Sequence, residues 1–171
     1  TKVSKEFADV YKGDYAHFTL KEISEQPDSI SRAGNNDQIE QFVDSIKQAK
    51  NLYITGSGTS YNAAEIAKYL MSKFAKIKIN TVIASELPFS PDDIERDSTL
   101  IAISQSGESA DVLEAVKIAK ESNASILSVV NHLNSSLSQE SSLVMGLNCG
   151  PEIGVAATKS FTSQLAILYK I

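Results

Sequence analysis

The feature that most constrains the fold is a strand-like run that leads through a polar turn directly into a helical pattern. Residues 99–103 are largely apolar and β-branched, and the turn sequence SQSGES follows at 104–109. The helical pattern that begins there has its apolar positions at Val112, Leu113, Val116 and Ile118. A buried strand joined to a helix by a tight turn is typical of α/β proteins that contain a parallel sheet.

The turn itself is rich in small hydrogen-bonding side chains. It contains Ser104, Gln105, Ser106 and Ser109, with Gly107 among them. A helix N terminus presents unpaired N–H groups and partial positive charge, so hydroxyls beside it add donors to a site for an anion. Helix capping would account for one serine, whereas three serines and a glutamine favour a ligand site.

A second turn of the same kind lies earlier in the chain. The apolar run 51–55 is followed by GSGTS at 56–60 and by a helical pattern at 61–74. The turn lacks the Gly-Lys-Ser/Thr of a P-loop, and Tyr61 occupies the position of the third glycine of a dinucleotide-binding turn. Two such turns at strand ends can converge on one crevice. Neutral donors without a lysine or a Mg²⁺ site suit a phosphate monoester that is held and not transferred.

The remaining sequence alternates between strand and helix periodicity. We predict further strands at 78–85, 125–131 and 142–147, and further helices at 15–26, 38–48, 109–121 and from 155 onward. This alternation predicts an α/β fold, a three-layer α-β-α sandwich around a five-stranded, mainly parallel sheet of the flavodoxin or Rossmann type. Residues 1–35 are expected to form an N-terminal lead-in and helix, and residues 36–171 the sheet domain.

Two local expectations concern the helices. Pro27 is expected to end the first helix, because proline lacks the N–H that would continue it. The expected inward side chains of the helix at 61–74 are Ile66, Tyr69, Leu70 and Phe74.

Composition narrows the possible functions. The chain has 171 residues and a net charge of −5, which argues against a nucleic-acid partner or an anionic membrane surface. The single cysteine, Cys149, excludes an internal disulfide, is expected to be buried, and favours a cytoplasmic protein. His17 and His132 lack metal-ligand spacing, so we expect no metal and no cofactor. No apolar run reaches the length of a transmembrane helix.

One segment is open to two interpretations, and two further features carry a single expectation each. The segment GPEIGVAATK at 150–159 is either a connecting loop or a loop that lines the crevice with Glu152 and Lys159. Glu22 and Glu25 are expected on a solvated helix face and not as a general acid/base pair. The chain begins with threonine and stops inside an apolar helical pattern, so we expect a piece of a longer protein.

The two turns resemble those of a known family. SQSGESAD at 104–111 is similar to the signature of sugar isomerase (SIS) domains, and SGTSY at 57–61 to their first phosphosugar turn. Three other segments resemble the isomerase part of the glutamine–fructose-6-phosphate aminotransferases, or glucosamine-6-phosphate synthases. They are KEISEQP at 21–27, ASEL at 84–87 and EIGVAATKSFTSQL at 152–165.

This resemblance implies a function and a site. The full enzymes join a glutaminase domain to two SIS halves and make glucosamine 6-phosphate from fructose 6-phosphate and glutamine. Only the first SIS half and the segment before it are matched here. By resemblance, Val155 lies along the sugar, and the sugar phosphate and its nearby hydroxyls are held by Thr59, Ser60, Ser104, Gln105, Ser106 and Ser109.

The resemblance also implies what the chain lacks. The family's catalytic Glu, His and ring-opening Lys lie in the second half and the C-terminal tail, so no catalytic residue is expected here and Lys159 is not that lysine. Ser109 stands where threonine is usual, and Ala157 where serine is usual, which removes a hydroxyl. We expect a fragment that binds phosphosugar without catalysing by itself, and that forms a homodimer.

Two alternative functions remain open at this stage. One is another SIS enzyme, such as a deglycase or a sugar-phosphate isomerase. The other is a non-catalytic sugar-phosphate sensor that controls a partner. The segments 21–27 and 152–165 argue against the sensor, because they resemble the synthases in particular.

Overall fold

The computed structural model describes residues 11–171; the first part of the predicted lead-in, residues 1–10, lies outside the described residues. Its centre is one sheet of five strands, in which every neighbouring pair is parallel. The spatial order is β2-β1-β3-β4-β5. The strands are β1 (Leu52–Gly56), β2 (Asn80–Ile83), β3 (Thr99–Ser104), β4 (Ser125–Val130) and β5 (Leu143–Gly146).

Helices cover both faces of this sheet. They are α1 (Phe18–Ser24), α2 (Gln26–Gly34), α3 (Ile39–Gln48), α4 (Thr59–Leu70), α5 (Ala110–Glu121), α6 (Ser136–Gln139) and α7 (Lys159–Lys170). A π-helical turn, Met71–Ala75, extends α4, and two 3₁₀ turns, Leu87–Phe89 and Pro91–Asp93, lie between β2 and β3.

The core is divided into two layers by the sheet. On β3, Ile101 and Ile103 join the cluster beneath α3, α4 and α7, while Leu100 and Ala102 join the cluster beneath α5. This alternation follows from the two-residue period of a strand. All of β3 is buried because helices lie on both sides of it. The predicted α/β three-layer fold is therefore confirmed, with a sheet that is entirely parallel.

The prediction that Pro27 ends the first helix was wrong. α1 ends at Ser24, and Pro27 lies in the first turn of a second helix, α2. The first N–H groups of a helix have no partner within it, so a proline there sacrifices no hydrogen bond and its fixed φ suits the helix. The same residue type can therefore end one helix or begin the next.

The buried face of α4 also differs from the prediction. Ala63, Ala64 and Ala67 are fully buried, whereas Tyr69 and Phe74 are exposed. α4 packs on β1 and α7 through this alanine face. Small side chains let a helix lie close to its neighbours, and a count of large apolar residues does not detect such a face.

Candidate functional site

The candidate site lies where the strand order changes direction. From β1 the chain runs to β2 on one side and then crosses to β3 on the other. In open α/β sheets such a switch point leaves a crevice at the carboxyl ends of the two central strands. A cavity of about 320 Å³ occupies it, lined by Ser57, Gly58, Thr59, Ser60, Ile103, Ser104, Gln105, Ser106, Ser109 and Val112.

The structure brings together nearly all the residues that the sequence analysis named for the site. The ones that line this cavity are Thr59, Ser60, Ser104, Gln105, Ser106 and Ser109. Val155 is not among the lining residues; it lies in the loop between β5 and α7 with its side chain fully exposed. The binding roles of all seven residues stay predictions.

The turn after β3 is held by its own serines. Ser104 Oγ accepts a hydrogen bond from the N–H of Gly107 at 3.0 Å, and Ser106 Oγ accepts one from the N–H of Glu108 at 3.1 Å. A hydroxyl that accepts in this way keeps its own proton for donation. The two serines therefore shape the turn and still offer O–H donors to a ligand in the cavity.

Gly107 is required by the geometry of this turn. Its φ is +70°, and an added Cβ would lie 2.1 Å from Ser135 Oγ.

The carboxylate of Glu108 points to the start of α6, where it accepts hydrogen bonds from the N–H and the hydroxyl of Ser136, both at 2.8 Å. These two hydrogen bonds lower the pKa of Glu108, and the bond from the N–H of Ser136 contributes most. The negative charge is thus held at α6.

The turn after β1 brings a second helix N terminus to the same cavity. Gly58 has φ +56°, and an added Cβ would meet nothing within 4 Å, so its conformation and not its size calls for glycine. Gly56 is required by close approach, because an added Cβ would lie 2.9 Å from the Ser60 carbonyl carbon. Behind the cavity, Ser60 Oγ accepts a hydrogen bond from Gln164 Nε2 at 3.0 Å.

The electrostatics of the cavity come from neutral groups. Among the described residues, those that line it include no lysine, arginine, histidine, aspartate or glutamate. The first turns of α4 and α5 both lie at the cavity, through Thr59 and Ser60 on one side and Val112 on the other. Each N terminus contributes about half a positive charge. At α4 the N–H groups of Ser60 and Tyr61 already donate to the carbonyls of Ser57 and Gly58, at 3.2 and 3.1 Å. The arrangement can hold an anion without a cationic side chain.

One interpretation of the 150–159 loop has Glu152 and Lys159 lining the crevice. In the structure neither residue lines the cavity. Glu152 caps α7 by accepting hydrogen bonds from the N–H of Thr158 at 2.9 Å and of Ser160 at 3.2 Å. Lys159 is 2% exposed and forms an ion pair with Glu25 at 2.6 Å. Both residues therefore organise the start of α7.

The expectation of a solvated face for Glu22 and Glu25 was wrong. Glu22 is 2% exposed and accepts hydrogen bonds from the N–H of Ile153 at 2.6 Å and of Gly154 at 3.0 Å. Burial raises the pKa of Glu25, but hydrogen bonds and charge from Lys159 and Lys21 outweigh it and leave the pKa below its ordinary value. The loop after β5 folds back onto α1, which local sequence does not reveal.

Cys149 is buried, as predicted, and is 1% exposed. Burial raises the pKa of Cys149 to about 11, and the nearby negative charge of Glu152 adds to this increase.

Among residues 11–171, no group of three or more His, Cys, Asp and Glu side chains is arranged to hold a metal ion. In the same part of the chain, none of the helices combines the length and the apolar character needed to cross a membrane.

Sequence reasoning missed Gln164, which contacts the site from behind. The residue lies on α7 at 1% exposure, one turn before the buried Ile167 and Leu168. A polar residue on the apolar face of a helix is a recognisable signal, because buried polar groups need partners. The partner, Ser60, is 104 residues earlier, so the sequence alone gives no indication of which group it is.

Comparison with known proteins assigns the chain to a family. The family model described as SIS domain matches residues 45–170. The glutamine–fructose-6-phosphate aminotransferase (isomerizing) of Thermotoga maritima is 40% identical over 92% of this chain and 28% of its own length. The same-named protein of Pyrococcus horikoshii is 42% identical over 92% of this chain and 27% of its own length.

A solved structure agrees with these relatives. The C-terminal domain of glucosamine-fructose-6-phosphate aminotransferase from Francisella tularensis superimposes with a TM-score of 0.84 at 38% identity, covering 93% of this chain and 47% of that chain. The chain spans a little over a quarter of the length of the curated relatives it matches, 28% in the first case. The match of the family model, the parallel sheet and the position of the cavity agree, and the chain belongs to the SIS domain family.

Proposed function

We propose that the cavity binds a sugar phosphate and that the chain is the first SIS half of the isomerase part of a glutamine–fructose-6-phosphate aminotransferase. The observation that carries this proposal is the convergence of two serine-rich turns and two helix N termini on one cavity without a cationic side chain among its described lining residues. The names of the relatives support the choice of fructose 6-phosphate and glucosamine 6-phosphate as ligands.

The chemistry of the lining supports a phosphate monoester. Hydroxyls of Thr59, Ser60, Ser104, Ser106 and Ser109 offer several donors around one point. The N–H groups at two helix N termini add fixed partial positive charge. The volume, about 320 Å³, lies within the range of small-molecule sites. The phosphate would be held by neutral donors, and Gln105 would supply an amide to a sugar hydroxyl.

In the intact enzyme we propose the conversion of fructose 6-phosphate and glutamine to glucosamine 6-phosphate and glutamate. That reaction requires opening of the sugar ring, amination at C2, and proton transfer between C1 and C2 by a general base. Within residues 11–171 no acidic or basic side chain lines the cavity, so this chain would supply binding and orientation. By this proposal the fragment alone is inactive, and the groups that move protons belong to the second SIS half.

Three further proposals concern the setting of the domain. We propose that residues 36–171 form the SIS domain and that residues 1–35 are a separate lead-in and helix region, whose helix α2 packs on α7. We also propose a homodimer, because Ile30 and Tyr169 line an exposed apolar groove between α2 and α7. Sedimentation as a monomer at high concentration would contradict the dimer.

A reducing, cytoplasmic compartment suits the single buried thiol of Cys149.

A thermal-shift titration tests the proposed ligand. Fructose 6-phosphate and glucosamine 6-phosphate are added separately, with inorganic phosphate and free fructose as comparisons. A ligand that binds only the folded state at a hundredfold excess over Kd raises stability by about 2.7 kcal/mol. We expect both phosphosugars to raise Tm and free fructose to leave it unchanged.

Matched variants locate the binding. The double variant Ser104→Ala and Ser106→Ala is expected to lose the shift, because both hydroxyls line the cavity. Ser45→Ala removes a hydroxyl that bonds within α3, to the carbonyl of Gln41, and is expected to keep the shift. A chain that melts cooperatively with no shift in either phosphosugar would contradict the proposal.

A further inference from the structure

Gln164 contacts a cavity residue without reaching the cavity. Its side chain is 1% exposed, and its Nε2 donates a hydrogen bond to Ser60 Oγ at 3.0 Å. Ser60 itself lines the cavity and is 7% exposed. The two residues connect α7 with the first turn of α4 across 104 residues of sequence.

This hydrogen bond fixes the direction of the Ser60 hydroxyl. An amide N–H is a donor only, so Ser60 Oγ accepts, and one lone pair faces Gln164. The hydroxyl proton must then point to another side of the oxygen. Among the described residues the structure gives that proton no acceptor, so it is available to a molecule in the cavity that Ser60 lines.

The burial of Gln164 is unfavourable for folding. Its Oε1 is buried and has no hydrogen-bond partner among the described residues. A buried carbonyl oxygen without a partner destabilises a fold relative to an apolar group of the same shape. One turn further along α7, Ile167 and Leu168 belong to the apolar core, while the buried residues before Gln164 include Ser160 and Ser163. The compensating contribution of this glutamine is its hydrogen bond to Ser60.

We propose that Gln164 is a positioning residue that directs the Ser60 hydroxyl proton toward the bound ligand. The inference rests on the proposed function, since it requires a phosphosugar in the cavity. Gln164 acts only through Ser60, without contact to the ligand. It raises affinity by preparing one donor before the ligand arrives, so that no hydroxyl has to be reoriented on binding.

Isothermal titration calorimetry with fructose 6-phosphate tests the inference on the whole chain. Gln164→Met keeps the approximate volume and removes the amide. We expect a Kd about tenfold higher, the effect of one hydrogen bond to a charged ligand that is no longer aligned. Urea denaturation is expected to give a free energy of unfolding that is unchanged or higher, because the unpaired Oε1 is gone.

Ser163→Ala is the matched control. Ser163 is adjacent on α7, is fully buried, and likewise has an Oγ without a partner among the described residues. It does not line the cavity. Ser163→Ala is expected to leave the Kd unchanged. A loss of affinity seen only in Gln164→Met would then be specific to Gln164 and not a general effect of removing a buried polar group from α7.

A double-mutant cycle with Ser60→Ala separates positioning from a general disturbance. If Gln164 acts through the Ser60 hydroxyl, the double variant binds about as weakly as Ser60→Ala alone. A further tenfold loss in the double variant, or a Kd like that of the wild type in Gln164→Met, would overturn the inference while the proposed function stands. Failure of the wild-type chain to bind any phosphosugar would overturn the proposed function, and this inference with it.

Discussion

Glu22 on the first described helix binds the backbone N–H of Gly154, 132 residues later, with Oε1 at 3.0 Å. The same carboxylate accepts the N–H of Ile153 at 2.6 Å and is itself 2% exposed. A single side chain near the start of the described chain therefore holds the loop that precedes α7. Glu152, in that loop, caps α7 through Ser160, and α7 carries Gln164, which donates a hydrogen bond to the cavity residue Ser60.

Glu22→Gln is expected to lower the free energy of unfolding by about 2–3 kcal/mol. The amide keeps one oxygen acceptor but turns an NH₂ group toward backbone donors, and it loses the charge that strengthens both bonds. Urea denaturation measures the change. Glu121→Gln, at an exposed position at the end of α5, is the control and is expected to change stability by less than about 0.5 kcal/mol. Equal stability of the two variants would show that the loop is held by other contacts.

Gly107→Ala is expected to destabilise the chain by about 2–4 kcal/mol and to abolish phosphosugar binding. Alanine disfavours the φ of +70°, and its Cβ would lie 2.1 Å from Ser135 Oγ. Gly34→Ala is the matched control, since its Cβ would have Lys170 Cε at an ordinary 3.8 Å. Denaturation curves and the phosphosugar titration check both effects. A Gly107→Ala chain with wild-type binding would mean that the turn is not needed in this shape.

Glu25→Gln is expected to change stability in a pH-dependent way. The pKa of Glu25 in the folded chain lies below its ordinary value of 4.5, so the stabilisation is fully present above that pH and is lost as the pH falls through the lower, folded value. At pH 7 the variant leaves the buried ammonium of Lys159 without this carboxylate, a loss of about 2 kcal/mol. The difference between variant and wild type should shrink as the pH falls below 4.5.

Urea denaturation at a series of pH values measures this difference. Glu114→Gln breaks an exposed pair with Lys117 at 3.6 Å and should change stability at pH 7 by less than about 0.5 kcal/mol. A difference between Glu25→Gln and the wild type that grows toward low pH would contradict the assignment of the ion pair.

Cys149 is expected to resist alkylation in the folded chain. Its thiol is 1% exposed and has a pKa of about 11, so little thiolate forms at pH 8 and the reagent has little access to it. Mass spectrometry after treatment with iodoacetamide at pH 8 should show labelling in urea and almost none without it. Asn131 Oδ1 accepts hydrogen bonds from the N–H and the thiol of Cys149, at 3.2 and 3.1 Å. Rapid labelling of the native chain would mean that these contacts open readily.

Several elements of the fold were predictable because their causes are local. The apolar run of β3 and the serine turn after it are both visible in sequence, and the structure has β3 at Thr99–Ser104. In a parallel sheet the carboxyl ends of all strands lie at one edge, and the observed strand order makes β1 and β3 neighbours there. The two hydroxyl-rich turns are visible in the sequence, the resemblance implied which of their residues form the site, and those residues line one cavity.

Other features depended on contacts between distant segments. Proline is compatible both with the end of one helix and with the first turn of the next, and Pro27 lies in the first turn of α2, a helix that packs on α7. The alanine face of α4 is buried because α7 lies against it. Val155 was assigned to the ligand by resemblance, yet its side chain is fully exposed in this loop conformation.

The sequence by itself determined the period of each segment, and from it the parallel sheet, the two donor-rich turns and their common edge. These follow from side-chain chemistry and from chain geometry over a few residues. Only the tertiary structure decided what the buried polar groups of the outer helices do: Glu22 holds Gly154, Glu25 pairs with Lys159, and Gln164 turns to Ser60. Each of these partners is more than 100 residues away, as the separations of 132, 134 and 104 record. No local pattern can encode such a distance, because the partners meet only after the sheet has brought the ends of the chain together.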